Sequence, residues 1–136
     1  MVFLQTRLKI GFIGAGNMAQ AMIKGMIQSG TVSPARIFVS SRTSQKPQKV
    51  RDLFNVQICA NNEELVETCD VVILAMKPQD LSPAIEPICK IFNDKQIVVS
   101  LAAGLRLETL EGILPQCRLV RLMPNTPSLI QKGSIG

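Results

Sequence analysis

Ile10-Gly11-Phe12-Ile13-Gly14-Ala15-Gly16-Asn17-Met18-Ala19 is the stretch that decides the fold. An apolar run leads into a Gly-x-Gly-x-x-Ala string, and a helix-forming segment follows it. Strand, tight turn and helix, in that order, form the setting in which such a string cradles a phosphate. Gly14 permits the tight turn, and Gly16 has no Cβ to keep a pyrophosphate off the backbone. Ala19 stands where a third glycine is usual and still lets the helix pack close to the strand. The start of the helix offers free N–H groups and a partial positive charge to an anion. The string predicts dinucleotide binding.

Outward from it, β-branched runs alternate with helical patterns. The first strand is expected over 7–13 and the first helix over 17–29. Met18, Met22, Ile23, Met26 and Ile27 fall on one face of that helix, and Gly30 is its stop. Further strands are expected over 37–40, 56–59, 71–75, 97–100 and 119–122. Helices are expected over 47–54, 61–69, 81–92 and 107–114. The helix over 61–69 opens on Asn61 and Glu64, spaced as in a capping box. The run over 71–75 is apolar throughout, as in a strand covered on both faces. The pattern predicts an α/β fold of the Rossmann type, a doubly wound and mainly parallel sheet with helices on both faces. Residues 1–136 are expected to form one dinucleotide-binding domain. The chain stops at Gly136 as another strand-like segment opens, and a fragment of a longer protein is the expectation.

The second strand bears on which dinucleotide. Sites selective for NAD place an acid near its end to bond the ribose 2′-hydroxyl. No carboxylate precedes Asp52 here, and the strand runs out into Ser40-Ser41-Arg42-Thr43 with Lys46 nearby. Hydroxyls and a guanidinium suit a 2′-phosphate, which a carboxylate would repel. NADP is the expected cofactor, with NAD possible.

Charge is unevenly spread. Residues 1–58 carry eight basic side chains against one acid, whereas residues 59–136 carry seven basic and nine acidic ones. The first half therefore favours an anionic partner. No basic cluster has interleaved aromatics, so nucleic acid is not the expected one. The longest apolar run, Val71 to Met76, is far too short for a bilayer. The chain has no His, which excludes a His base, a Ser-His-Asp triad and a His-ligated metal; no metal site is expected. Cys59, Cys69, Cys89 and Cys117 form no C-x-x-C pair and read as reduced thiols of a cytoplasmic protein.

Two more segments belong at the carboxyl ends of strands, where such sheets bind ligands. They are Ala75-Met76-Lys77-Pro78 and Ser100-Leu101-Ala102-Ala103-Gly104. With the opening string and Met123-Pro124-Asn125-Thr126-Pro127, and with the second segment extended back to Val98-Val99, they resemble the N-terminal domain of pyrroline-5-carboxylate reductases. The four pieces are spread over nearly the whole chain, in that family's order. The opening string alone is shared by many dehydrogenases, and the combination of the other three is far more specific.

The resemblance implies reduction of 1-pyrroline-5-carboxylate to proline, with hydride delivered to the imine carbon. Carried over by position, it implies that Ile13, Gly14, Ala15, Gly16, Asn17 and Met18 hold the pyrophosphate. Ser41 and Arg42 would meet the adenosine ribose, as would Asn62, whose other reading is a helix cap. Ala75, Met76, Lys77 and Pro78, with Leu101, Ala102 and Ala103, would flank the nicotinamide side. Met123, Asn125 and Thr126 would lie near the substrate. Lys77 is the only proton-donor candidate within these motifs, and its position points to cofactor contact instead, so the catalytic group is left unassigned. The resemblance implies a second, helical domain that makes the oligomer and completes the substrate site, and this chain is expected to lack it. Two alternatives stand beside this reading. One is another NADP-dependent reductase of the 6-phosphogluconate and 3-hydroxyisobutyrate dehydrogenase-like group. The other is a non-catalytic module that senses NADPH.

Overall fold

The computed structural model describes residues 7–41, 45–101 and 107–121. Six strands lie in one sheet: β1 (Ile10–Ile13), β2 (Ile37–Ser40), β3 (Gln57–Ile58), β4 (Val71–Leu74), β5 (Ile97–Ser100) and β6 (Arg118–Arg121). Their order is β3-β2-β1-β4-β5-β6. Each neighbouring pair runs parallel, so the sheet is wholly rather than mainly parallel. The α-helices are α1 (Asn17–Gln28), α2 (Gln45–Phe54), α3 (Asn62–Thr68), α4 (Pro78–Ile85) and α5 (Leu107–Ile113). The chain reverses direction across the sheet between β1 and β4, which is where doubly wound sheets bind ligands.

Alternation along the strands builds two cores. Ile10 and Phe12 of β1, Ile73 of β4 and Val99 of β5 join Ala19 and Ile23 of α1 and Val50 of α2 on one face. Ile13, Val72, Leu74 and Val98 point the other way, into Leu65, Val66, Leu81, Ile85 and Leu110 from α3, α4 and α5. Helices thus cover both faces, as the continuous apolar strands require.

Gly11 is what lets α3 approach. A Cβ there would stand 2.5 Å from Leu65 Cδ2 and 2.7 Å from Cys69 Sγ. Below α3, the buried Gln96 donates through Nε2 to the carbonyls of Val66 and Cys69, and its Oε1 accepts from the Asn93 N–H. This one side chain satisfies two carbonyls at the helix's end that would otherwise be buried without partners.

Several element bounds differ from expectation for local reasons. The first strand begins at Ile10, not residue 7. The Lys9 carbonyl still accepts from the N–H groups of Asp70 and Val71. α1 ends at Gln28, and Gly30 adopts φ +75° beyond it. The Gly30 N–H bonds the Ile27 carbonyl and the Thr31 N–H bonds that of Met26, the two contacts of a Schellman motif. The buried stripe of α1 starts at Ala19, so Met18 is 42% exposed and not on the core face.

The helix expected over 81–92 starts three residues earlier, with Pro78 at its first position. Beyond Ile85 it continues only as a 3-10 turn over Glu86–Ile91. α4 accommodates Pro83; at Pro87, which has no N–H for the Pro83 carbonyl, the α pattern has given way to the 3-10 turn. A 3-10 turn over Pro34–Arg36, also unforeseen, leads into β2. β6 occupies Arg118–Arg121 rather than 119–122.

Candidate functional site

The opening string folds as a cradle. At Gly14 φ is +109°, a backbone region that side chains with a Cβ avoid. A Cβ there would also lie 2.8 Å from the Ala75 carbonyl oxygen. The loops after β1 and β4 therefore pass in contact, and they need glycine on the first. The Gly14 N–H is held by the Ser40 carbonyl at 2.8 Å, and the Ile13 carbonyl accepts from the Ala75 N–H at 2.9 Å. Gly16 is different: a Cβ there would meet nothing within 4 Å. It is the N-cap of α1, no side chain caps that helix end, and the first turn carries no acid. The first N–H groups of α1 are thus left for an incoming acceptor.

Gln20, not singled out from sequence, braces this loop. Its Nε2 donates to the Ala15 carbonyl at 3.0 Å, and its own N–H bonds the Gly16 carbonyl at 3.0 Å. The Ala15 and Gly16 carbonyls of the cradle are thereby engaged, which suits a site meant for an anion.

A cavity of about 380 Å³ opens over the carboxyl ends of β2, β1 and β4. Its lining includes Ile13, Gly14, Ala15 and Gly16 from the cradle, then Ser41, Asn62, Ala75, Met76 and Lys77. Nine of the residues expected at the cofactor are brought together there. Asp80 and Ala84, both on α4, also line it and were not expected. Nothing local marks them, because only the packing of α4 against the sheet turns that face to the cavity. Asn17 and Met18 form the first turn of α1 at the cavity's edge, and Leu101 is buried in the core beside the sheet. Pro78 starts α4. Arg42, Ala102, Ala103, Met123, Asn125 and Thr126 lie outside the described residues.

The two adjacent asparagines divide their labour. Asn61 is the N-cap of α3, accepting the Glu64 N–H at 2.8 Å, while Glu64 Oε1 reaches the Ala60 N–H at 3.3 Å. The capping reading thus belongs to Asn61, and Asn62 is released from it. The buried Ser40 hydroxyl donates to Asn62 Oδ1 at 2.6 Å. With its oxygen so engaged, Asn62 meets the cavity through its amide N–H donors.

The cysteines stand apart from this chemistry. All four are free. Burial, reinforced by Glu64, pushes the Cys59 thiol up to about 11. Burial, with Cys59 and Asp70 adding to it, pushes Cys69 up to about 12. Burial also raises Cys117. Thiols held neutral in this way are poor nucleophiles.

A glycine cradle at an uncapped helix end, over the reversal point of a parallel sheet, is a dinucleotide site in its geometry. The family model described as NADP oxidoreductase, coenzyme F420-dependent, matches residues 9–104. This chain belongs to that family. It is 37% identical to pyrroline-5-carboxylate reductase 2 of Bacillus subtilis over 130 residues, which is 94% of this chain and 46% of that protein. The structure of a pyrroline-5-carboxylate reductase from Coxiella burnetii superposes with a TM-score of 0.83 at 35% identity, over 93% of this chain and 47% of that one. Plasmodium falciparum pyrroline carboxylate reductase with NADP bound has the same fold, with a TM-score of 0.78 at 24% identity over 93% of this chain and 45% of that one. The chain spans about half the length of the relatives it matches. Among the described residues no helix is long and apolar enough to cross a membrane.

Proposed function

We propose that this chain is the NADPH-binding domain of a reductase that converts 1-pyrroline-5-carboxylate to L-proline. The observation that carries the reading is the cavity itself. It joins a phosphate cradle to a ribose end, at β2 and α3, that offers donors and no acid. Gly14 to Gly16 and the first N–H groups of α1 hold the pyrophosphate. Ser41 and Asn62 donate to the adenosine ribose and its 2′-phosphate, joined by Arg42 on sequence grounds. The similarity to pyrroline-5-carboxylate reductases, over nearly the whole chain, supplies the substrate.

When bound, the reduced nicotinamide supplies a hydride for the imine carbon, and the imine nitrogen carries a proton so that the product is an amine. The chain's own work is to fix the dinucleotide. Ala75 and Met76 flank it on one side of the cradle, and the resemblance assigns Ala102 and Ala103, beyond β5, to the nicotinamide end. The resemblance assigns Met123, Asn125 and Thr126 to the substrate side. A helical domain beyond this one would complete the substrate site and make a homo-oligomer, and the protein would act in the cytoplasm. The test is reduction of 1-pyrroline-5-carboxylate by the full protein, followed through loss of the dihydronicotinamide absorbance with NADPH and with NADH. Turnover with a preference for NADPH is expected. A protein that binds NADPH tightly but leaves this imine unreduced would shift the reading to another reductase of the group.

A further inference from the structure

We propose that Asp80 reads the adenine base of the bound dinucleotide by accepting a hydrogen bond from its 6-amino group. This rests on the NADP reading above. Asp80 and Ala84 lie four residues apart on α4, hence on one face, and both line the cavity. Among the described lining residues the charged ones are Lys77 and Asp80. An ionised carboxylate only accepts hydrogen bonds. It repels phosphate oxygens, and the cradle already assigns those to Gly14–Gly16, in the loop after β1. Any contact it makes with the ligand is therefore to a donor.

In the adenosine half of a dinucleotide the donors are ribose hydroxyls and the adenine 6-amino group. Ser41 and Asn62 take the ribose from the β2 side. β2 and β4 flank β1 in the sheet, so their ends lie about 10 Å apart, a span that one nucleoside bridges. A nucleoside with its ribose at Ser41 and Asn62 thus brings its base to the loop after β4 and to α4. Met76 and Ala84 offer that base an apolar surface, and a thioether packs well against an aromatic ring. Asp80 stands at the polar margin of the same surface. This assigns the segment after β4 to the adenine end of the ligand, whereas the resemblance placed it beside the nicotinamide.

The test is calorimetric titration of the full protein with NADPH and with its deaminated analogue, in which hypoxanthine replaces adenine and a carbonyl replaces the 6-amino group. The wild type is expected to bind NADPH about tenfold more tightly than the analogue, the range for one hydrogen bond to a charged group. Asp80→Ala should bring the ratio close to one, and Asp80→Asn, which keeps a carbonyl acceptor, should retain part of it. A ratio unchanged in Asp80→Ala, or both ligands tightened by the same factor, overturns the proposal; the carboxylate would then act only as a charge near the phosphates. Binding of neither dinucleotide by the wild type would instead overturn the NADP reading itself.

Discussion

A β-carbon on Gly16 would stand in open space, and one on Gly11 would stand inside Leu65 and Cys69. The two glycines therefore fail in different ways when substituted. Gly16 has φ −80° and ψ −168°, which any residue adopts, so Gly16→Val should fold. Its branched side chain would occupy the place of the pyrophosphate. Calorimetry should find NADPH binding lost while the circular dichroism spectrum is kept. Unchanged affinity in the folded variant would remove the cradle assignment. Gly11→Ala should do the reverse. Overpacking of this kind typically costs about 1–3 kcal/mol, read as a lower urea midpoint. Because Leu65 is the atom donor to the clash, Leu65→Ala and Gly11→Ala should be non-additive in a double-mutant cycle. Fully additive losses would show that the strand and helix relax apart freely.

At the scale of elements, the ends of α1, α2 and α3 are handled by different chemistry. α1 closes on a Schellman turn at Gly30, and α2 on Asn55, whose φ is +60°. α3 opens on Asn61 and closes over Gln96. The neighbouring asparagines of α3 give a clean separation of structure from ligand contact. Asn61→Ala should lower stability by about 1 kcal/mol, the usual worth of such a cap, with NADPH affinity unaltered. Asn62→Ala should weaken NADPH binding about fivefold or more through loss of its N–H donors. Denaturant unfolding and titration on both variants check the pair. An Asn61→Ala variant that loses affinity and an Asn62→Ala variant that does not would exchange the two roles.

Across the whole molecule, the buried thiols set an alkaline limit. Cys59 and Cys69 have folded values near 11 and 12 against an ordinary 9.0. Below the ordinary value both thiols are neutral in the folded and unfolded chain, so their contribution is fully present. Above it the unfolded chain releases protons that the folded one retains, and stability falls as pH rises through the folded values. Cys117, raised by burial in the same way, adds to the decline, and the sequence has no Tyr to add a phenol titration to this range. Urea midpoints should decline from about pH 9 upward, and Cys59→Ala with Cys69→Ala should flatten the decline while lowering the curve as a whole. A wild-type midpoint that stays level through this range would show that the thiols ionise without opening the fold.

The Gly14–Ala19 string, the alternation of apolar runs with helical faces and the lack of any acid before Asp52 are local properties of the chain. They determined the fold class, the cradle and the sign of its ligand. Steric freedom at a glycine, helix periodicity and charge are all carried by residues close in sequence. What tertiary structure alone decided depends on residues far apart in sequence that meet in space. The contact of Gly11 with Leu65, and the approach of the β1 loop to the Ala75 carbonyl, follow from how closely α3 and β4 lie against β1. The engagement of the Asn62 side-chain oxygen depends on Ser40, 22 residues away. Asp80 and Ala84 reach the cavity only because α4 packs its Leu81 and Ile85 into the core. Burying one stripe of a helix fixes which other stripe faces the ligand, and that burial needs the completed sheet.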